Sequence, residues 1–93
     1  MKVRFTRSAE ADLERIADRI AEADPERARL TVRALRATAR SVGGTPYLWS
    51  PVLSSSGVRK KTVRPYLLLY TIAAGEVVIL RIAHERSDWT SLV

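Results

Sequence analysis

The chain has 93 residues, is 46% hydrophobic and 28% charged, and carries a formal net charge of +6 with no cysteine and one histidine. These values describe one small globular domain, residues 1–93, and exclude disulfides, thiolate metal centres and a structural zinc site, so no metal or cofactor is expected. No apolar run approaches the roughly 20 residues that span a bilayer, and "MKVRFTRSAEADL" lacks the apolar core and cleavage site of a signal peptide, so a cytoplasmic protein without membrane contact is expected.

Residues 2–6, "KVRFT", alternate: Val3 and Phe5 face one way, Lys2, Arg4 and Thr6 the other, as in a short strand with one buried face. Ser8 is a good N-cap for a following helix, with Glu10 and Asp12 in the first turn, where the helix dipole favours negative charge. Ala9, Leu13, Ile16, Ala17, Ile20 and Ala21 recur at helical spacing, and the acids and arginines between them, Arg15 and Arg19 included, take a mixed, solvated outer face. "EADPERA" ends this helix and starts another, because Asp24 can cap and Pro25 suits the first helical position. The second helix has its apolar seam at Ala28, Val32, Leu35, Ala39 and Val42 and stops at Gly43–Gly44. So short a turn between two amphipathic helices makes an antiparallel hairpin.

Residues 43–57, "GGTPYLWSPVLSSSG", read as a loop without a regular element, and its apolar residues predict that it packs down on the domain with Trp49 over the core. Three strands follow: 58–63, then 66–72 and 77–84, the last two joined by a hairpin turn at "AAGE". The 66–72 strand is apolar on both faces, as a central strand is, and 77–84 is so except for Arg81. The expected fold is α+β with the order β-α-α-β-β-β: an N-terminal helical hairpin packed on a twisted, mostly antiparallel sheet.

Charge is distributed unevenly. Seven acids lie in residues 1–26 and none in 27–75, where nine cations fall. Such asymmetry favours an anionic partner, either nucleic acid or an acidic protein segment. Arg29, Arg33, Arg36 and Arg40 are spaced four, three and four apart and form one cationic stripe at about 100° per residue. With no acid interleaved after Glu26, that stripe repels itself unless something neutralises it; a solvated helix face is the plainer reading. Arg59, Lys60, Lys61 and Arg64 form a second cluster, with Arg59 and Lys61 on one side of their strand and Lys60 on the other. They suit either phosphate contacts or protection of a sheet edge. His84 ends the last strand beside Glu85, Arg86 and Asp88, and reads as a proton-transfer group or as a strand-end residue bonded to backbone. There is no Gly-rich phosphate loop, no paired carboxylate and no Ser-His-Asp order, so an enzyme built here would have to work with cations, one His and hydroxyls.

"FTRSAEADLERIADRIAEADPERA", Gly57-Val58-Arg59, the strand bearing Tyr66 and Tyr70, "VVILRIAH" and the closing "HERSDW" together resemble the RelE/ParE superfamily of bacterial toxins over nearly the whole chain. That resemblance implies a toxin of a type II toxin–antitoxin system, held inactive by an acidic, ParD-like antitoxin that is encoded in the adjacent reading frame and wraps an amphipathic segment around it. RelE-like members cleave mRNA on the ribosome, whereas ParE-like members poison DNA gyrase without cutting RNA. Where RelE-like members often carry an Arg after the first aromatic of the central strand, this chain has Leu67, and "ILRIAHERSD" looks closer to ParE. The ParE-like reading places Arg29, Arg33, Arg36, Arg40, Arg59, Lys61, His84 and Arg86 against the target or antitoxin. The RelE-like reading makes Lys60, Lys61 and Arg64 phosphate ligands of a metal-independent endoribonuclease, with His84 or Arg86 aiding proton transfer. A toxin that has lost its activity and only binds its antitoxin is a third reading.

Overall fold

A computed structural model describes all residues 1–93. The elements are β1 (Lys2–Phe5), α1 (Arg7–Ala21), α2 (Pro25–Val42), β2 (Ser50–Pro51), β3 (Val58–Val63), β4 (Tyr66–Ala73), β5 (Glu76–His84) and a 3-10 turn over Trp89–Leu92. The five strands form one sheet in the order β1-β5-β4-β3-β2. β1 runs parallel to β5, and every other neighbouring pair is antiparallel. The expected α+β architecture is therefore present, with one strand more than the sequence indicates. No helix is long and apolar enough to cross a membrane.

The helical hairpin covers one sheet face. Ala9 and Leu13 of α1, and Leu35, Ala39 and Val42 of α2, pack with Leu68, Tyr70, Val77, Ile79 and Ile82 of the sheet. Val3 and Phe5 complete this core from β1, as their alternation predicts. The opposite face has a smaller cluster of Val52, Val58, Leu67 and Leu69, closed by Leu80, Trp89 and Val93. Trp89 thus covers the second face of the sheet.

Ile79 and Ile82 both face the helices although they are three residues apart, which strict alternation forbids. A bulge is the reason: Leu69 pairs with Arg81 and Tyr70 with Ile79, leaving Leu80 opposite no residue. Neighbouring groups satisfy the backbone atoms around this bulge. The Thr6 hydroxyl donates to the Leu80 carbonyl at 2.8 Å, and the Ile82 N–H donates to Asp12 at 2.9 Å.

Several local expectations are corrected. Thr6, not Ser8, caps α1: its backbone is extended and its hydroxyl accepts from the Ala9 N–H at 3.0 Å, while Ser8 lies inside the first turn. Asp24 caps α2 as expected, accepting from the Arg27 N–H, with Pro25 leading the helix. Gly43 ends α2 with ordinary right-handed dihedrals. Its lack of a side chain serves close approach instead, since a Cβ there would lie 2.3 Å from the Met1 carbonyl oxygen. The 43–57 segment contains the short strand β2, which can hold Pro51 because it is the edge strand. Val52 of this segment is buried, but Tyr47, Leu48 and Leu53 point into solvent. The "AAGE" turn is as expected, with Ala74 and Gly75 at φ 52° and 76° between the paired Ala73 and Glu76.

Candidate partner-binding cleft

A cleft of about 780 Å³ lies between the tip of the helical hairpin and the β3–β4 end of the sheet. Ile16, Ile20, Leu35, Val63, Tyr66 and Ile82 give it an apolar lining. Arg15, Arg19, Arg27 and Arg64 add positive charge, against the carboxylates of Asp12 and Asp24. Arg15 and Arg19 reach it because they flank Ile16 and Ile20 at helical spacing, and so border the apolar stripe rather than oppose it.

Four arginines outnumber these two carboxylates. Asp24 accepts the α2 cap bond. Asp12 is buried and accepts from Arg81 at 2.8 and 3.0 Å, from the Ile82 N–H, and from Arg15. Burial pushes the Asp12 carboxyl upward, but the Arg81, Ile82 and Arg15 donors outweigh it and hold the group below the usual carboxylate range. Arg19 and Arg27 make no ion pair, whereas Arg64 lies 3.4 Å from Glu85.

His84 stands at the β5 side of the cleft. Its Nδ1 accepts the Arg86 N–H at 3.1 Å, and its ring meets Tyr66 edge-on at 5.7 Å. With Nδ1 occupied as acceptor, Nε2 carries the proton of the neutral ring and is the atom free to donate.

The other residues singled out by sequence disperse. Arg29 pairs with Glu26, and Arg36 pairs with Glu10 through two bonds of 2.9 and 2.8 Å while covering the Phe5 ring. The Arg36 bonds hold the Glu10 carboxyl below its ordinary range, and Glu10 raises Arg36 in turn. The stripe is thus half neutralised, by an acid one turn earlier and by one from the other helix; only Arg33 and Arg40 keep exposed, unpaired charge. Lys60 lies over Trp89 on the second sheet face, and Lys61 over Trp49 on the helical side. Arg59 ties down the preceding loop, donating to the Tyr47 and Trp49 carbonyls at 3.2 and 2.7 Å. Arg86 is exposed. Of the five residues of the ribonuclease reading, then, Arg64 and His84 share the cleft, and Lys60 is turned away from Lys61. Arg15, Arg19 and Arg27 carry no expected role from sequence; their place beside the helix seam and the hairpin tip is the available signal.

Comparison with known proteins agrees with this architecture. Residues 3–89 match the family model described as the ParE toxin of the type II toxin–antitoxin system parDE. A chain of the chromosomal ParDE toxin–antitoxin system from P. aeruginosa superposes with a TM-score of 0.81 at 27% identity, covering 90% of this chain and 95% of that one. A chain of the RelBE2 toxin–antitoxin complex from Mycobacterium tuberculosis superposes with a TM-score of 0.64 at 27% identity, covering 89% and 88%. No curated protein sequence matches the chain. A family match across nearly every element, on a sheet and hairpin of the same form, places the chain within the RelE/ParE superfamily, and it belongs to the ParE toxin family of type II toxin–antitoxin systems.

Proposed function

We propose that this toxin acts in the cytoplasm by binding DNA gyrase rather than by cutting RNA, and that an acidic, ParD-like antitoxin neutralises it. The observation that carries the proposal is the cleft: an apolar floor flanked by the unpaired Arg19 and Arg27, while Lys60 and Lys61, the phosphate ligands of the ribonuclease reading, lie on opposite faces of the sheet. An amphipathic helix with acidic flanks would set its apolar side on Ile16, Ile20 and Tyr66 and its carboxylates against the arginines. The similarity to chains of the ParDE and RelBE2 systems supports an antitoxin as that occupant. The test is purified toxin in a gyrase supercoiling assay beside primer extension on translated message. Inhibited supercoiling with intact message is expected; cuts within codons on the ribosome overturn the reading.

Arg64 and His84 at one cleft wall are the specific support for a ribosome-dependent endoribonuclease as the second reading. On that reading, His84→Ala abolishes message cleavage in primer extension while the variant keeps the wild-type thermal midpoint.

A further inference from the structure

Outside the cleft, the segment joining α2 to β2 places two large apolar side chains in solvent, and Tyr47 and Leu48 are each 65% exposed. Their exposure is not that of a slack loop. The Pro46 carbonyl accepts from the Tyr70 hydroxyl at 2.6 Å, and the Tyr47 and Trp49 carbonyls accept from Arg59. The Leu48 N–H donates to the Thr45 carbonyl at 3.2 Å, and Ser50, two residues on, pairs with Lys60. Burial raises the Tyr70 phenol above its ordinary range, against the opposing pull of Arg59, so it stays a donor across the physiological range. The main chain is therefore fixed on both sides of two largely apolar side chains left in solvent. Apolar groups held ready in this way lose little further entropy on being covered.

The surroundings are cationic. The Arg59 guanidinium lies 5.4 Å from the centre of the Tyr47 ring, and the Lys61 ammonium 3.5 Å from that of Trp49. Neither cation has a carboxylate partner. Tyrosine and arginine at the centre of a preorganised patch are the residue types that dominate protein–protein binding energy.

We propose that Tyr47 and Leu48, with Arg59 and Lys61 beside them, form a second docking surface. It contacts the cellular target rather than the antitoxin, and it fits a protein surface that offers an apolar pocket edged by acidic residues. This rests on the reading of the chain as a toxin with a protein target. The surface shares no residue with the lining of the cleft. A second copy of the chain is disfavoured as occupant, because it would bring two unneutralised cationic patches together.

The test uses the full chain with the double substitution Tyr47→Ser, Leu48→Ser, with the charge reversal Lys61→Glu, and with Leu30→Ser, which removes an exposed leucine elsewhere, as control. Each is assayed for growth arrest on induction, for inhibition of purified gyrase, and for binding to the co-expressed product of the adjacent reading frame. The first two variants are expected to lose arrest and to need about tenfold or more protein for half-inhibition, as hot-spot truncation does. Leu30→Ser should behave as wild type, and all three should bind the adjacent product within about twofold, as surface changes outside an interface do. The proposal is overturned if both variants arrest growth like wild type, if they lose the adjacent product in equal measure, or if wild type is a dimer that the double variant splits. A wild-type chain that arrests nothing also overturns it. If wild type arrests growth but leaves gyrase active, the gyrase reading falls and growth arrest alone judges the surface. Thermal melts check folding; should the double variant unfold, the outcome for Lys61→Glu decides.

Discussion

Asp12 and Arg81, 69 residues apart in the chain, are joined by two hydrogen bonds of 2.8 and 3.0 Å that tie helix α1 to the bulged part of strand β5. The same carboxylate holds the Ile82 N–H freed by the bulge. Removing Asp12 leaves the half-buried Arg81 charge and the buried Ile82 N–H without their acceptor, at a cost of about 3 kcal/mol. Asp12→Ala is expected to lose that much stability in urea titrations. Replacing both residues, as Asp12→Leu with Arg81→Met, should cost less than the sum of the single changes. Additive losses in this cycle would show that the two side chains do not depend on each other.

The same carboxylate sets an acid limit. Its folded-state pKa lies below the ordinary value, so the folded chain holds this proton less readily than the unfolded one. The resulting stability is complete above the unfolded pKa of about 3.9 and is lost as pH falls through the lower folded value. Wild-type urea midpoints should therefore drop below about pH 4 more steeply than those of Asp12→Asn. Parallel curves for the two proteins would assign the acid sensitivity to other carboxylates.

Thr6 gives a second measure of how the helices are anchored. Its hydroxyl accepts from Ala9 and donates to the Leu80 carbonyl, joining the helix start to the bulge. Thr6→Ala should cost about 1–2 kcal/mol, at the upper end for caps because two bonds go together, whereas Ser8→Ala should stay within about 0.5 kcal/mol. Equal losses would restore Ser8 as the working cap.

These contrasts show what the sequence made legible. Period located both helices and β1, through residues such as Leu13, Leu35 and Val3, whereas β4 and β5 were legible as apolar runs on either side of a turn. Thr6 and Ser8 look alike as caps, and only the distant Leu80 carbonyl favours Thr6. Asp12 reads as a surface acid in a first turn, because nothing local shows that Arg81 descends onto it. The arginine stripe misled for the same reason: Glu10 reaches Arg36 from the other helix. The cleft combines the flank of the α1 seam with a strand turn far along the chain, so composition announced its charge without locating it.

Ala74 occupies a backbone region that glycine prefers, with φ at 52° in a two-residue hairpin turn. Ala74→Gly is expected to stabilise the chain by about 0.5–1 kcal/mol, since it relieves the Cβ penalty of the left-handed region. It touches neither the cleft nor the Tyr47 loop, so toxicity should be unchanged. A fall in thermal midpoint would mean that the entropy added to the unfolded chain outweighs the relief.

The cleft makes the last prediction electrostatic. Arg19 and Arg27 stand on two helices at its hairpin wall without carboxylate partners. Reversing both, as Arg19→Glu with Arg27→Glu, should weaken an acidic amphipathic partner by about 2–3 kcal/mol or more, since attraction becomes like-charge repulsion at two points. Ile20→Ser, on the same wall, removes apolar contact and should weaken binding by about 1–2 kcal/mol without changing its salt dependence. The salt dependence therefore separates the two contributions: wild-type affinity should fall as ionic strength rises, whereas the reversed variant should gain. Calorimetric titration with the adjacent-frame product at low and high salt reads both. An affinity indifferent to the double reversal would place the acidic segment elsewhere on the toxin and leave the cleft without an electrostatic role.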